Sequence, residues 1–326
     1  MSDASISSAI MMEEAAKRGI DCHIFDDRKT VLMKKNAKSW FTRGARTSLQ
    51  SSIGKTIADK KHLTKKILSY YNLPTANYVQ VDKVETIEDI QQLNFPVVMK
   101  PLDGNAGKGV IVGIKTFDEA KLLFIDAAKP QLFEEILTGT EYRIVCVNFQ
   151  FVAAAFRKAA YVTGDGSSTV QQLIDQKNSH PWRGDGHESP LTKIKIDQLV
   201  TNYLAEQNSG LDAVPAKNVE VQLRKTVNLS TGGEPWDVTD FVCDENKRLF
   251  EQIAKVCDLN VIGIDMMCDS LQQPISNQHT AGVIEVNAAP GLRMHHYPLK
   301  GAARNVAAKI IDMVEMTYFQ KTTTTE

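Results

Sequence analysis

The chain has 326 residues, and it has no run of 18 consecutive apolar residues, no CxxC pair, no internal repeat and a formal net charge of only -1. Each absence excludes a class. Without a long apolar run there is no sign of a membrane-spanning helix. The start, "MSDASISSAIMMEEAAKRGI", lacks the basic opening and apolar core of a secretory signal, so a cytoplasmic protein with no membrane partner is expected. A charge balance this close to zero offers no general attraction to nucleic acid, which would need a clustered basic excess. The five cysteines, Cys22, Cys146, Cys243, Cys257 and Cys268, are widely spaced and mostly sit in apolar stretches such as "RIVCVNF". They read as buried reduced thiols, not as a zinc site. "IGKT" at 53–56 resembles the end of a phosphate-binding P-loop, but that motif needs Gly five residues before its Gly-Lys pair, and position 49 is Leu49.

What is present is a composition of 43% hydrophobic and 24% charged residues over a length that predicts two or three subdomains and small-molecule chemistry. "SAIMMEEAAKRGI" has helical spacing and ends at Gly19, and "IDCHIFDD" follows as a short strand. "DKKHLTKKILSYY" and "ETIEDIQQL" read as helices. "FPVVMKP" and "GVIVGI" flank a glycine turn and predict a hairpin. After the helix "FDEAKLLFIDAA", the runs "QLFEEIL", "EYRIVCVN" and "QFVAAAFRKAAYV" predict a largely antiparallel sheet. Residues 164–195, rich in Gly, Ser and Asp around one short helix, read as an exposed substrate-side insertion. The helix "ENKRLFEQIAKVCDL", the strands "VIGIDMMC" and "GVIEVNAAPG", and a terminal helix complete the chain before the tail "KTTTTE".

Three features carry chemistry. In "FPVVMKPLDGNAGKGV" an apolar strand ends in Lys100, and a turn with Gly104, Gly107 and Gly109 follows around Lys108. Glycines let a backbone approach a ligand closely, and successive N–H groups form a nest for phosphate; many hairpins, however, carry such a turn with an incidental lysine. Glu285 and Asn287 alternate onto one side of a strand, and Asp265 lies on a neighbouring one. Three hard oxygen ligands of this kind suit Mg²⁺. Arg224 and Arg293 each stand beside a glycine-containing turn, where a guanidinium can clamp phosphate or carboxylate. Taken together these point to a nucleoside triphosphate site.

The order of these pieces resembles the ATP-grasp superfamily. "KPLDGNAGKGV", "GDGSSTVQQLID", "RGDGHESPLTKIKID", "LRKTVNLSTGG", "DVTD" and "IEVNAAPGLRMH" resemble the ATP-grasp portion of the cyanophycin synthetases, and are also similar to the glutathione-synthetase module of bifunctional glutathione enzymes. The likeness runs from about residue 7 to 318. It implies an α/β (α+β) ATP-grasp fold of three subdomains with ATP held between two antiparallel sheets: 1–74 as an N-terminal α/β part, 75–137 as the lid subdomain, 138–320 as the C-terminal subdomain with the 164–195 insertion, and 321–326 as a disordered tail.

It also implies roles. Lys60 and Lys100 correspond to the two phosphate-binding lysines, and Gly104, Asn105, Gly107, Lys108 and Gly109 belong to the loop over the phosphates. Glu134, Glu135 and Ile136 form the adenine-reading hinge, and Glu141 meets the ribose. Asp265, Glu285 and Asn287 match the magnesium ligands. Arg224 matches the cation at the transferring phosphate, with Lys100 and Asn287 as its catalytic companions. Arg143, Asn228, Ser230, Gly232, Gly233, Arg293 and His295 border the substrate. The implied activity is an ATP- and Mg²⁺-dependent ligase joining a carboxylate to an amine, with an amino acid or peptide as substrate. A homo-oligomer and a partner enzyme for a second addition accompany that expectation; a glutathione-synthetase-like short-peptide ligase and a non-catalytic ATP-binding module stay open. The sequence departs from the pattern at Ala106, where a histidine is expected, and at Cys243 and Asp244, where the relatives carry His-Pro. His187 and His295 qualify as a general base by position only.

Overall fold

A computed structural model describes residues 4–102, 109–127, 129–186 and 189–319. The chain forms two compact units: Met1–Ser48, Val152–Thr239 and Ala289–Glu326 make one, and Leu49–Phe151 with Asp240–Ala288 make the other.

The first unit begins with the helix Ile6–Ala16, whose start is capped by the Ser5 hydroxyl accepting the Ser8 N–H. Its buried face carries Ile10, Met11 and Ala15. Gly19, at φ +64°, turns the chain out of the helix, a conformation that L side chains resist. A four-stranded antiparallel meander follows, Asp21–Ile24, Thr30–Lys35, Lys38–Arg43 and Arg46–Thr47, hydrogen-bonded in chain order. The last three of these strands were not anticipated from the sequence. Their alternation is short and interrupted by lysines, yet Val31, Met33 and Trp40 turn inward to at most 2% exposure. Trp40 stacks on Tyr318 of the terminal helix Val306–Phe319.

Residues 164–195 are not simply exposed. Val170, Leu173, Ile174 and Ile194 join Val200, Leu204 and Leu223 in a separate small core under the helices Val170–Asn178 and Gln198–Glu206. Polar turns surround the apolar positions closely enough to hide the helical period in the sequence. A capping box between Thr169 and Gln172 starts the first of these helices, and Asp197 caps the second.

The second unit holds the hairpin expected around the glycine turn: Val97–Pro101 pairs antiparallel with Ile111–Ile114. Gln131–Glu135 adds on the other side of Val97–Pro101, and Tyr78–Val81 lies beyond it. The helix Phe117–Ala127 and the 3₁₀ segment Val84–Gln92 cover one face of this sheet, burying Ile87, Ile90, Val97, Ile114, Phe124 and Phe133. In the same unit Val261–Cys268 runs antiparallel between Thr140–Val147 and Gly282–Asn287. The helix Asp244–Val256 places Phe250 and Ile253 in the core.

"IGKT" lies inside a helix, Ser52–Asp59. A Cβ on Gly54 would fall 2.1 Å from the carbonyl oxygen of Asp258, so the glycine serves close packing and not phosphate. All five cysteines are unbridged, and Cys146, Cys257 and Cys268 are buried. No helix among the described residues is long and apolar enough to cross a membrane.

Candidate active site

Antiparallel pairing builds the centre of the site in the second unit. Asp265 faces Arg143 on the strand to one side and Glu285 on the strand to the other, with a bulge just after Asp265. Asn287, two residues beyond Glu285, returns to the same face of its strand. The Asn287 amide nitrogen lies 3.4 Å from Asp265 and 3.5 Å from Glu285, so the three candidate metal ligands converge. Asp265 is 3% exposed and Arg143 8%. Arg143 grips Asp265 in bidentate fashion, with Nε donating to Oδ1 at 2.5 Å and Nη2 to Oδ2 at 2.8 Å. Burial by itself would lower the Arg143 pKa, but the adjacent Asp265, and Glu285 beyond it, hold it above its usual value. Arg143, expected to border the substrate, is therefore committed to a carboxylate of its own unit.

A metal ion fits this donor set. A carboxylate has about four lone-pair positions and the Arg143 pair uses two of those on Asp265. Among the described residues no three His, Cys, Asp or Glu side chains cluster for a metal; the set here is two carboxylates and an amide, the hard oxygens Mg²⁺ prefers.

Two further lysines bear on the site, and the sequence reading had neither. Lys61, the first residue of the helix Lys61–Tyr70, reaches Glu285 at 3.4 Å. Lys60, to which the phosphate role was assigned, is exposed and extended at the junction of two helices. Lys65, one turn after Lys61, is 2% exposed and pairs with Glu134 at 3.1 Å. The signal available in the sequence was the four-residue spacing of these two lysines, which puts them on one helical face. Lys100, 7% exposed, pairs with the other oxygen of Glu134 at 2.6 Å.

The remaining hinge residues are placed as follows. The Glu135 carboxylate accepts from the Asn77 amide and from both the backbone and side chain of Asn94, so it ties the sheet edge together. Ile136 and Glu141 are half-buried, and Glu141 lies opposite Met267. Gly109 has φ +74°, and Gly104, Asn105, Gly107 and Lys108 lie outside the described residues, as do Ala106 and His187.

Arg224, expected at the transferring phosphate, and the other residues expected at the substrate belong to the first unit. Arg224 is 6% exposed and donates through Nη2 to Asp197 at 2.6 Å and to the Lys195 carbonyl at 3.2 Å. The hydrogen bond from Arg224 lowers the Asp197 pKa. Asn228 and Ser230 are exposed on the turn that leads to buried Gly232 and Gly233. Gly232 is left-handed, and a side chain there would strike Ile194. A buried cluster missed in the sequence clamps this turn: Arg183 donates to the Gly232 carbonyl at 3.2 Å and to Glu234 at 2.8 Å, and Lys177 reaches Glu234 at 2.7 Å. His295 is buried, and Arg293, 9% exposed, donates to the Ser189 carbonyl at 3.4 Å. Burial pushes the Arg293 pKa down.

Residues 58–177 match the RimK-like ATP-grasp domain family. The chain contains a RimK-like ATP-grasp domain. Over 318 residues it is 37% identical to cyanophycin synthetase of Synechocystis sp., a match covering 94% of this chain and 36% of that protein. It is 32% identical over 325 residues to the bifunctional glutathione biosynthesis protein GshAB of Desulfotalea psychrophila, covering 97% of this chain and 42% of that one. The crystal structure of a bifunctional glutathione synthetase from Pasteurella multocida superposes with a TM-score of 0.81 at 31% identity, over 97% of this chain and 44% of that one. The chain thus has the ATP-grasp fold and spans less than half the length of these relatives.

Proposed function

We propose that this chain is an ATP-dependent carboxylate–amine ligase, acting on an amino acid or peptide carboxylate as its relatives' names suggest. The observation that carries the reading is the convergence of Asp265, Glu285 and Asn287, with Lys61 and the Lys100–Glu134–Lys65 group on the neighbouring elements of the same unit. Oxygen ligands for a cation beside ammonium groups for phosphate suit a nucleoside triphosphate and little else.

A carboxylate at neutral pH is a poor electrophile because its charge is delocalised and oxide is a prohibitive leaving group. Attack of a carboxylate oxygen on the γ-phosphorus expels ADP and leaves an acyl phosphate. Attack of an amine on the acyl carbon then expels phosphate, the amine loses a proton, and an amide remains. Mg²⁺, when held by Asp265, Glu285 and Asn287, supplies charge neutralisation on the phosphate oxygens. Lys100 and Lys61 bind and orient those oxygens. Asn287 and Arg143 hold the acidic pair in register, so that its geometry is set before the nucleotide arrives. An aspartate-bearing peptide is the first carboxylate to try, and a short glutathione-like dipeptide the second.

The test is phosphate release with Mg-ATP across a panel of amino acids and short peptides, aspartate-containing chains included, with Asp265→Ala as control. Release that requires both a carboxylate and an amine and vanishes in the variant is the expected result. Nucleotide binding with no turnover anywhere on the panel would overturn the ligase reading in favour of a binding module.

A further inference from the structure

Lys65 is among the largest fully buried side chains of the protein, yet it carries an ammonium group. Its Nζ lies 3.1 Å from Glu134 Oε2 and donates to the Thr75 hydroxyl at 3.1 Å. Glu134 Oε1 is 2.6 Å from Lys100 Nζ, so one carboxylate serves two lysines. The other groups facing Lys65 are Lys61 on its own helix and the Tyr78 ring, 6.0 Å from the ammonium. Among the described residues, Glu134 is the carboxylate in ion-pair contact with either Lys65 or Lys100. Two ammonium groups and one carboxylate leave a buried surplus of one positive charge.

A buried ion pair of this kind gives little net stability over a hydrophobic side chain of similar volume, so stability alone does not account for a lysine at this position. Its electrical effect does. Without Lys65, Glu134 and Lys100 would form a closed neutral pair, and the Lys100 charge would be cancelled before any ligand arrived. Burial drives the Lys65 pKa down to about 8 even with Glu134 beside it, as expected for a cation in a site that already holds one ammonium too many.

We propose that Lys65 is a positioning residue that shares Glu134 with Lys100 and so leaves the Lys100 charge available to the phosphate oxygens of the nucleotide. This rests on the ATP-dependent reading given above. Lys65 itself touches no substrate; it acts on affinity through Glu134, and the chemical step does not depend on it.

The experiment measures binding of Mg²⁺ with a non-hydrolysable ATP analogue to the full chain by titration calorimetry, together with KM for ATP and kcat. Wild type binds, and Lys65→Met weakens binding about tenfold or more by removing the surplus charge, raising KM while kcat holds. The double variant Lys65→Met with Glu134→Gln restores affinity toward wild type, because Lys100 is again an uncancelled cation. A purely structural role for Lys65 predicts the opposite, a double variant no better than the single. Lys65→Gln, which keeps a hydrogen-bond donor toward Glu134 but carries no charge, weakens binding to the same extent and serves if Lys65→Met fails to fold. Absence of binding to wild type would overturn the ATP-dependent reading and this inference with it. Binding to wild type without restoration in the double variant, or unweakened binding in Lys65→Gln, would overturn the inference alone.

Discussion

Asp265→Leu offers the sharpest test of the site's electrostatics, because it removes one half of a buried pair and leaves the other in place. Arg143 and Asp265 are 8% and 3% exposed and joined by two hydrogen bonds of 2.5 and 2.8 Å. At an effective dielectric constant of about 20, opposite charges about 3 Å apart attract by roughly 5–6 kcal/mol, most of which offsets the desolvation of the two groups. Removing Asp265 leaves the Arg143 guanidinium buried with its main partner gone, at a cost of about 3–5 kcal/mol. That is a large share of a typical total of about 5–15 kcal/mol and lowers Tm by roughly 10 °C. The assay is urea unfolding of Asp265→Leu, Arg143→Met and the double variant. Each single variant is strongly destabilised, whereas the double, which buries no unpaired charge, lies within about 1–2 kcal/mol of wild type. ATP turnover is absent whenever Asp265 is replaced, so the double variant is folded and inactive. Strict additivity of the two single effects would refute the argument that the pair is coupled and that its stability role and its site role are separable.

Two other outcomes follow from the geometry. Lys61→Ala raises KM for ATP at least about tenfold, while Lys60→Ala stays within about twofold, since Lys61 pairs with Glu285 whereas Lys60 is exposed between two helices; steady-state kinetics with the two variants in parallel decides this, and equal effects would contradict it. His296 gives the protein an acid-sensitive element. Burial, only partly opposed by Glu14 and Glu13, lowers its pKa to about 4, and its Nε2 accepts the Ala307 N–H at 3.3 Å at the start of the terminal helix. The unfolded state, with an ordinary histidine pKa near 6.5, binds the proton first. Its contribution is therefore complete above about pH 6.5, declines as pH falls and is lost below about pH 4, a change of at most about 3 kcal/mol. Unfolding free energies at pH 7 and pH 4.5 fall further for wild type than for His296→Gln; parallel losses would rule out His296 as the sensitive group.

Elements governed by local rules were legible in the sequence. The hairpin of Val97–Pro101 and Ile111–Ile114 follows from two β-rich runs around glycines, and the helix Asp244–Val256 from its periodic apolar face. The same two-residue alternation put Glu285 and Asn287 on one side of a strand before any partner was known. The Gly-, Ser- and Asp-rich stretch 164–195 looked solvent-exposed because polar turns outnumber its apolar residues, and only packing against Val200, Leu204 and Leu223 gave it a core.

What tertiary structure alone decided is which charges meet. Arg143 and Asp265 are 122 positions apart, and nothing local to "EYRIVCVN" says that its arginine will be taken by a carboxylate instead of remaining open to substrate. Lys60 is an extended residue between two helices and Lys61 opens the second of them, and it is the assembled fold that sets Lys61 against Glu285 on a strand distant in the chain. A lysine in "HLTKKIL" reads as a solvated charge on a helix; the shared Glu134, contributed by a sheet strand, is what permits Lys65 to be buried. Sequence periodicity determines the side of an element on which a residue emerges. Whether that side faces water, an opposite charge or a ligand depends on strands and helices distant in the chain, because the Coulomb and desolvation terms belong to the assembled site and not to any one segment.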